Sequence, residues 1–161
     1  MTQTHIHLLI THLPIFGSLL GAVVLILGLW MKSNETKIAS YFLFIISSIG
    51  AGISYLTGEA AEETVYNIQG IVEATIKEHE EFALYALISL IILGIASIIG
   101  LFLTSIKSPL TSTTAIVILF ISLFSFVLVA RTGYLGGKIR HTEIVNGAAA
   151  PLENSEKAGD D

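Results

Sequence analysis

The residues in this chain best suited to chemistry are its five histidines, His5, His7, His12, His79 and His141. Imidazole is the commonest metal ligand and the one side chain whose ordinary titration falls near neutral pH. The chain has no cysteine. That removes disulfides, thiolate metal sites, iron–sulfur ligation and covalent haem attachment. Three kinds of site then compete. The first is a b-type haem held between two imidazoles from different helices. His12 and His79 stand at the entrances of two apolar segments and are the expected axial pair, with His7 and His141 as further candidates. Ala83 and Ala86 follow His79 at i+4 and i+7 and narrow that helix face enough for a flat ring. Arg131 stands at similar depth and is expected to pair with a haem propionate, to pair with Glu59, or merely to snorkel to the interface. The second is a bare zinc or copper ion held by His5, His7 and His12 with Glu59, Glu62 or Glu78. The third, a proton or cation pathway, is disfavoured because no ionisable residue lies within the central part of an apolar segment. Serine–histidine and zincin spacings are absent, so hydrolysis has no support. A single histidine at a membrane boundary is most simply an amphipathic headgroup residue; the case rests on the group.

What must position these side chains follows from composition. Of 161 residues, 53% are hydrophobic and 13% charged, with mean hydropathy +0.78. A soluble domain is nearer one quarter charged, so lipid is the expected solvent. Net charge is −5 and the runs of charge are acidic, which argues against nucleic acid. Four apolar stretches, about 13–31, 38–56, 82–105 and 115–134, are near the roughly 20 residues that cross a bilayer. They must be helices, because backbone groups in lipid are satisfied within the segment. The first follows MTQTHIH without a basic flank and reads as a retained helix rather than a signal peptide.

Short links at 32–37 and 106–112, the second containing Pro109, make each pair of spans an antiparallel hairpin. The longer acidic link at 58–81 places Val65, Ile68, Val72 and Ile76 at helical spacing and predicts an interfacial amphipathic helix. Fold class is therefore all-α: a four-transmembrane-helix bundle of two hairpins over residues 1–141. The polar, acidic tail at 142–161 reads as disordered. Four spans put both termini and the long link on one side, face A, with every histidine. The two short links make face B. By lysine density face B is cytoplasmic and face A periplasmic. Thr57-Gly58 and Thr132-Gly133 end the second and fourth spans, which suggests a parallel repeat in which His12 and His79 are equivalent. Small residues, including the GxxxG of Gly17 and Gly21, mark packing faces within the bundle or, alternatively, in a homodimer.

The stretch HLLITHLPI (residues 7–15) resembles the HPxxVHFPI opening of the bacterial predicted-membrane-protein family described as domain of unknown function 2231. TGYLGGKIRH (132–141) resembles that family's TGxxGGxLVYxHG close, and EHE (78–80) matches the histidine before its third span. The resemblance covers about residues 4–141 and carries over His7, His12, Pro14, His79, Gly133, Gly136, Gly137 and His141 as motif positions. Leu8 departs from it where the family has proline, as does Arg140 near the family's tyrosine. It implies a four-helix bacterial membrane domain, in some members joined to redox modules, and assigns no activity. The expectation is a bacterial inner-membrane haem b protein that exchanges electrons with a quinone or periplasmic cytochrome. The alternatives are a non-catalytic subunit or anchor of a respiratory assembly, and a metal-binding membrane protein without haem.

Overall fold

A computed structural model describes residues 2–63 and 73–140, with the side chains at 61–63 and 140 outside the description. Six helices follow in order: α1 (Gln3–Ile10), α2 (His12–Trp30), α3 (Asn34–Leu56), α4 (Gly58–Glu63), α5 (Glu73–Ser105) and α6 (Thr111–Arg140). No strand occurs among the described residues. Four units are long and apolar enough to cross a bilayer: α1 with α2, then α3, α5 and α6. The chain is thus a multi-pass helical membrane protein.

The first span begins earlier than predicted. The chain is helical from Gln3, capped by Thr2, whose hydroxyl accepts from the His5 backbone N–H. A single turn residue, Thr11, separates α1 from α2. Pro14 accounts for the break, because proline supplies no N–H to the carbonyl four residues back. The third and fourth spans are longer than predicted. At 1.5 Å per residue, the 33 residues of α5 reach about 50 Å and the 30 of α6 about 45 Å. Both exceed the roughly 30 Å of hydrocarbon. Of the expected interfacial helix, Ile76 belongs to the first turns of α5 and is buried. Val65, Ile68 and Val72 lie outside the described residues, as does the 142–161 tail.

The two short links share one construction. In the first, Lys32 takes φ 53°, and in the second Lys107 takes φ 55°. The N–H of Ser33 donates to the Gly28 carbonyl at 3.0 Å and that of Ser108 to the Leu103 carbonyl at 2.9 Å. Each is a Schellman close with a left-handed residue in the position glycine usually takes.

The spans form a four-sided ring in which α2 and α5 each pack against both α3 and α6. Its interior is filled by Leu25, Tyr41, Phe44, Leu90, Leu93 and Ile118, all at most 1% exposed. Small residues set the helix separations. A methyl on Gly21 would lie 2.5 Å from Phe44 Cε1, and one on Gly94 2.6 Å from Ser48 Oγ. The Gly17–Gly21 stripe thus faces α3 inside the bundle. Outside, Phe102, Phe120, Phe124 and Val127 are exposed, as suits a surface solvated by acyl chains.

Candidate functional site

At face A, two histidines are held in the same way. His7, on α1, donates Nδ1–H to the Ser54 carbonyl of α3 at 2.8 Å. His79, on α5, donates Nδ1–H to the Thr132 carbonyl of α6 at 3.0 Å. A carbonyl can only accept, so Nδ1 carries the proton in both rings. Four residues beyond each carbonyl stands a glycine against the same imidazole. A methyl on Gly58 would lie 3.7 Å from His7 Cε1, and one on Gly136 3.2 Å from His79 Cε1. In an α-helix the residue at i+4 lies directly over the carbonyl of residue i. Glycine there removes the side chain that would screen the carbonyl and lets the ring approach it.

These contacts correct the expected repeat. The partner of His79 is His7, not His12, and the matching glycines are Gly58 and Gly136, not Gly58 and Gly133. Gly133 instead packs towards Ile15 of α2. The corrected repeat is regular. His7 precedes Lys32 by 25 residues and His79 precedes Lys107 by 28; Gly58 follows Lys32 by 26 and Gly136 follows Lys107 by 29. Each leg of the second hairpin is three residues longer, about 4.5 Å, which agrees with the extra length of α5 and α6. The ring order has the matching symmetry, with α2 exchanging with α5 and α3 with α6.

His12 lies elsewhere. It is exposed, its Nδ1–H donates to the Leu8 carbonyl of its own helical run at 3.0 Å, and its ring stacks on Phe16 at 6.4 Å between centroids. His7 reaches across to α3 whereas His12 bonds back to Leu8, so the two do not share a partner. His5 is also exposed, with Nδ1 2.6 Å from the Thr2 hydroxyl. Arg131 pairs with Glu78 rather than Glu59. Its guanidinium also lies 5.5 Å from the Phe82 ring centroid and 5.6 Å from that of Tyr134, which Lys138 approaches at 5.1 Å. Ala86 is buried in the core, so the face meant for a flat ring is occupied by the bundle itself. Glu59 lines a shallow cavity of about 190 Å³ with Gln3, Leu56 and Ala60. His141 and the Glu62 side chain lie outside the described residues. Among those described, no three histidine, aspartate or glutamate side chains come within range of one metal ion.

Sequence reasoning missed the roles of Ser54, Thr132, Gly58 and Gly136 as receivers of the imidazoles. The available signal was a polar residue followed by glycine at i+4 at the end of both return helices. The fold and this end define a four-helix membrane protein with an internally repeated histidine latch. Comparisons with protein-family models, with curated proteins and with solved structures find no match.

Proposed function

We propose that this chain is a bacterial inner-membrane haem b protein of electron transfer, with His7 and His79 as the axial ligands. The observation that carries the reading is the repeated latch. Donation of Nδ1–H to a backbone carbonyl places the lone pair of a neutral imidazole on Nε2 and fixes the ring's orientation. That is the arrangement of a metal-ligating histidine supported from behind. Of the three rings so held, His7, His12 and His79, only His7 and His79 take the carbonyl from a neighbouring span, one in each half of the internal repeat. Each ring so held would offer Nε2 to a haem iron, which would supply one-electron exchange. The space fits less well: the cavity of about 190 Å³ lined by Gln3, Leu56, Glu59 and Ala60 is smaller than the roughly 300–1,000 Å³ of ligand pockets and includes neither imidazole. The family resemblance of residues 7–15 and 132–141 supports a bacterial membrane setting. Lys32, Lys37 and Lys107 at face B support a cytoplasmic face B and a periplasmic face A. A quinone or periplasmic cytochrome is then the natural redox partner.

The same latches favour a second reading, a non-catalytic membrane subunit or anchor of a respiratory assembly. Each imidazole ties the start of one helix to the end of its neighbour and would do so without a cofactor. The absorption spectrum of the detergent-purified protein, expressed with haem available, separates the two. A redox-sensitive Soret band supports the haem protein, whereas a colourless sample leaves the anchor, and metal analysis of that sample then tests for zinc or copper.

A further inference from the structure

Beside the His79 latch, α5 and α6 carry a set of charged and aromatic side chains that the latch does not use. Glu78 and Phe82 share one face of α5, at i and i+4, and Arg131, Tyr134 and Lys138 share one face of α6, at i, i+3 and i+7. The two faces meet. The Arg131 guanidinium donates from Nη2 to Glu78 and approaches the ring centroids of Phe82 at 5.5 Å and Tyr134 at 5.6 Å. Lys138 approaches the same Tyr134 ring at 5.1 Å. Both cations are within the reach of a cation–π contact, about 6 Å. Arg131 is thus fixed in place by the neighbouring helix rather than left to extend freely. Its one hydrogen bond among the described residues uses Nη2, out of the five N–H donors of a guanidinium.

The internal repeat supplies its own comparison. Matching His7 with His79 sets Ile6 against Glu78 and Ile10 against Phe82; matching Ser54 with Thr132 sets Ile53 against Arg131, Leu56 against Tyr134 and Ala60 against Lys138. The first half closes the same latch with aliphatic residues at all five positions. Helix pairing at this end therefore does not require the charges or the rings. Depth points to what they meet. Phe124 and Val127 lie on the same stripe of α6 as Arg131, Tyr134 and Lys138. Both are more than 60% exposed, on the surface that acyl chains solvate. The cations thus stand just above lipid-facing side chains, at the level where aromatic residues meet the headgroups. Glu78 neutralises Arg131, while Lys138 enters no ion pair among the described residues. One positive charge is left over.

We propose that Arg131, Tyr134 and Lys138 bind the headgroup phosphate of an anionic phospholipid in the face-A leaflet, with its acyl chains along Val127 and Phe124. The remaining guanidinium donors of Arg131 bond the phosphate oxygens, and the Lys138 ammonium supplies the balancing point charge. One phosphodiester matches the charge left over. A lipid whose headgroup also carries an ammonium has no net charge and leaves Lys138 uncompensated, so it is the weaker ligand.

The test is lipid retention by the detergent-purified protein, titrated with phosphatidylglycerol or phosphatidylcholine and read by native mass spectrometry. The native protein is expected to bind its first phosphatidylglycerol about fivefold more tightly than phosphatidylcholine, the share of one cation at a membrane surface. Lys138→Gln removes that charge from an exposed position and leaves the Glu78 pair intact. It is expected to weaken phosphatidylglycerol about fivefold and to leave phosphatidylcholine unchanged. Lys32→Gln, which removes an exposed lysine at face B, is the control and is expected to leave the first phosphatidylglycerol in place. Equal affinity for the two lipids, or equal losses in Lys138→Gln and Lys32→Gln, overturns the proposal. Displacement of the bound lipid by millimolar inorganic phosphate also overturns it, because the ligand would then be a soluble anion.

Discussion

Gly136→Ala isolates the latch from everything else at face A. A methyl at this position would lie 3.2 Å from His79 Cε1, closer than an ordinary carbon–carbon contact of about 3.5–4.0 Å. The imidazole must retreat by a few tenths of an ångström, which pulls Nδ1 away from the Thr132 carbonyl it holds at 3.0 Å. Loss of such a bond costs about 0.5–1.5 kcal/mol. Against this, alanine is favoured over glycine inside a helix by about 0.8–1.0 kcal/mol. In the native background the two effects nearly cancel, so Gly136→Ala is expected within about 0.5 kcal/mol of neutral. In a His79→Ala background the latch is already gone and the same change is expected to stabilise by about 1 kcal/mol. The coupling in this cycle is the latch energy, about 1 kcal/mol. Gly137 is the control, because a methyl there meets nothing within 4 Å; Gly137→Ala is expected to stabilise equally in both backgrounds. The assay is reversible unfolding in mixed micelles by titration with a denaturing detergent, followed by circular dichroism. If Gly136→Ala stabilises the native protein as much as Gly137→Ala does, the imidazole is not held where the latch requires.

Gly21→Ala is expected to destabilise by about 1–3 kcal/mol, because its methyl would meet the buried Phe44 ring and overpack a filled core. Gly52→Ala, with nothing within 4 Å, is expected to be tolerated in the same unfolding measurement. Lys107→Gly is expected to raise stability by up to about 1 kcal/mol, since a left-handed backbone is strained for lysine and not for glycine; an unchanged or lower midpoint contradicts the Schellman close. Single cysteines at Lys107 and Glu73 of intact cells are expected to label with an impermeant maleimide from opposite sides, Glu73 from outside. Labelling of both from one side refutes the topology, and reversal of the two sides refutes the orientation alone.

The spans and hairpins were legible because lipid imposes a length and an absence of charge, and both are visible in sequence. Helix ends beyond the lipid were not. The first turns of α5 and the last of α6 are amphipathic or mixed, and only their packing on each other, through Glu78 with Arg131 and His79 with Thr132, identifies them as continuations of the spans. The choice of His12 over His7 came from depth alone. Rotation about the helix decides which residue turns inward, and the break at Thr11 resets that rotation. The small residues of α2 and α3 were correctly read as packing positions, since glycine in a lipid-facing helix has little other use.

The proposal tested first is ligation of a haem iron by His7 and His79. The absorption spectrum of the purified protein, oxidised and dithionite-reduced, tests it most directly in four samples: native, His7→Ala, His79→Ala and His12→Ala. A low-spin haem b spectrum is expected in the native protein and in His12→Ala, lost or converted to high spin in the other two. A colourless native protein, or a spectrum that survives His7→Ala and His79→Ala and disappears in His12→Ala, contradicts the assignment.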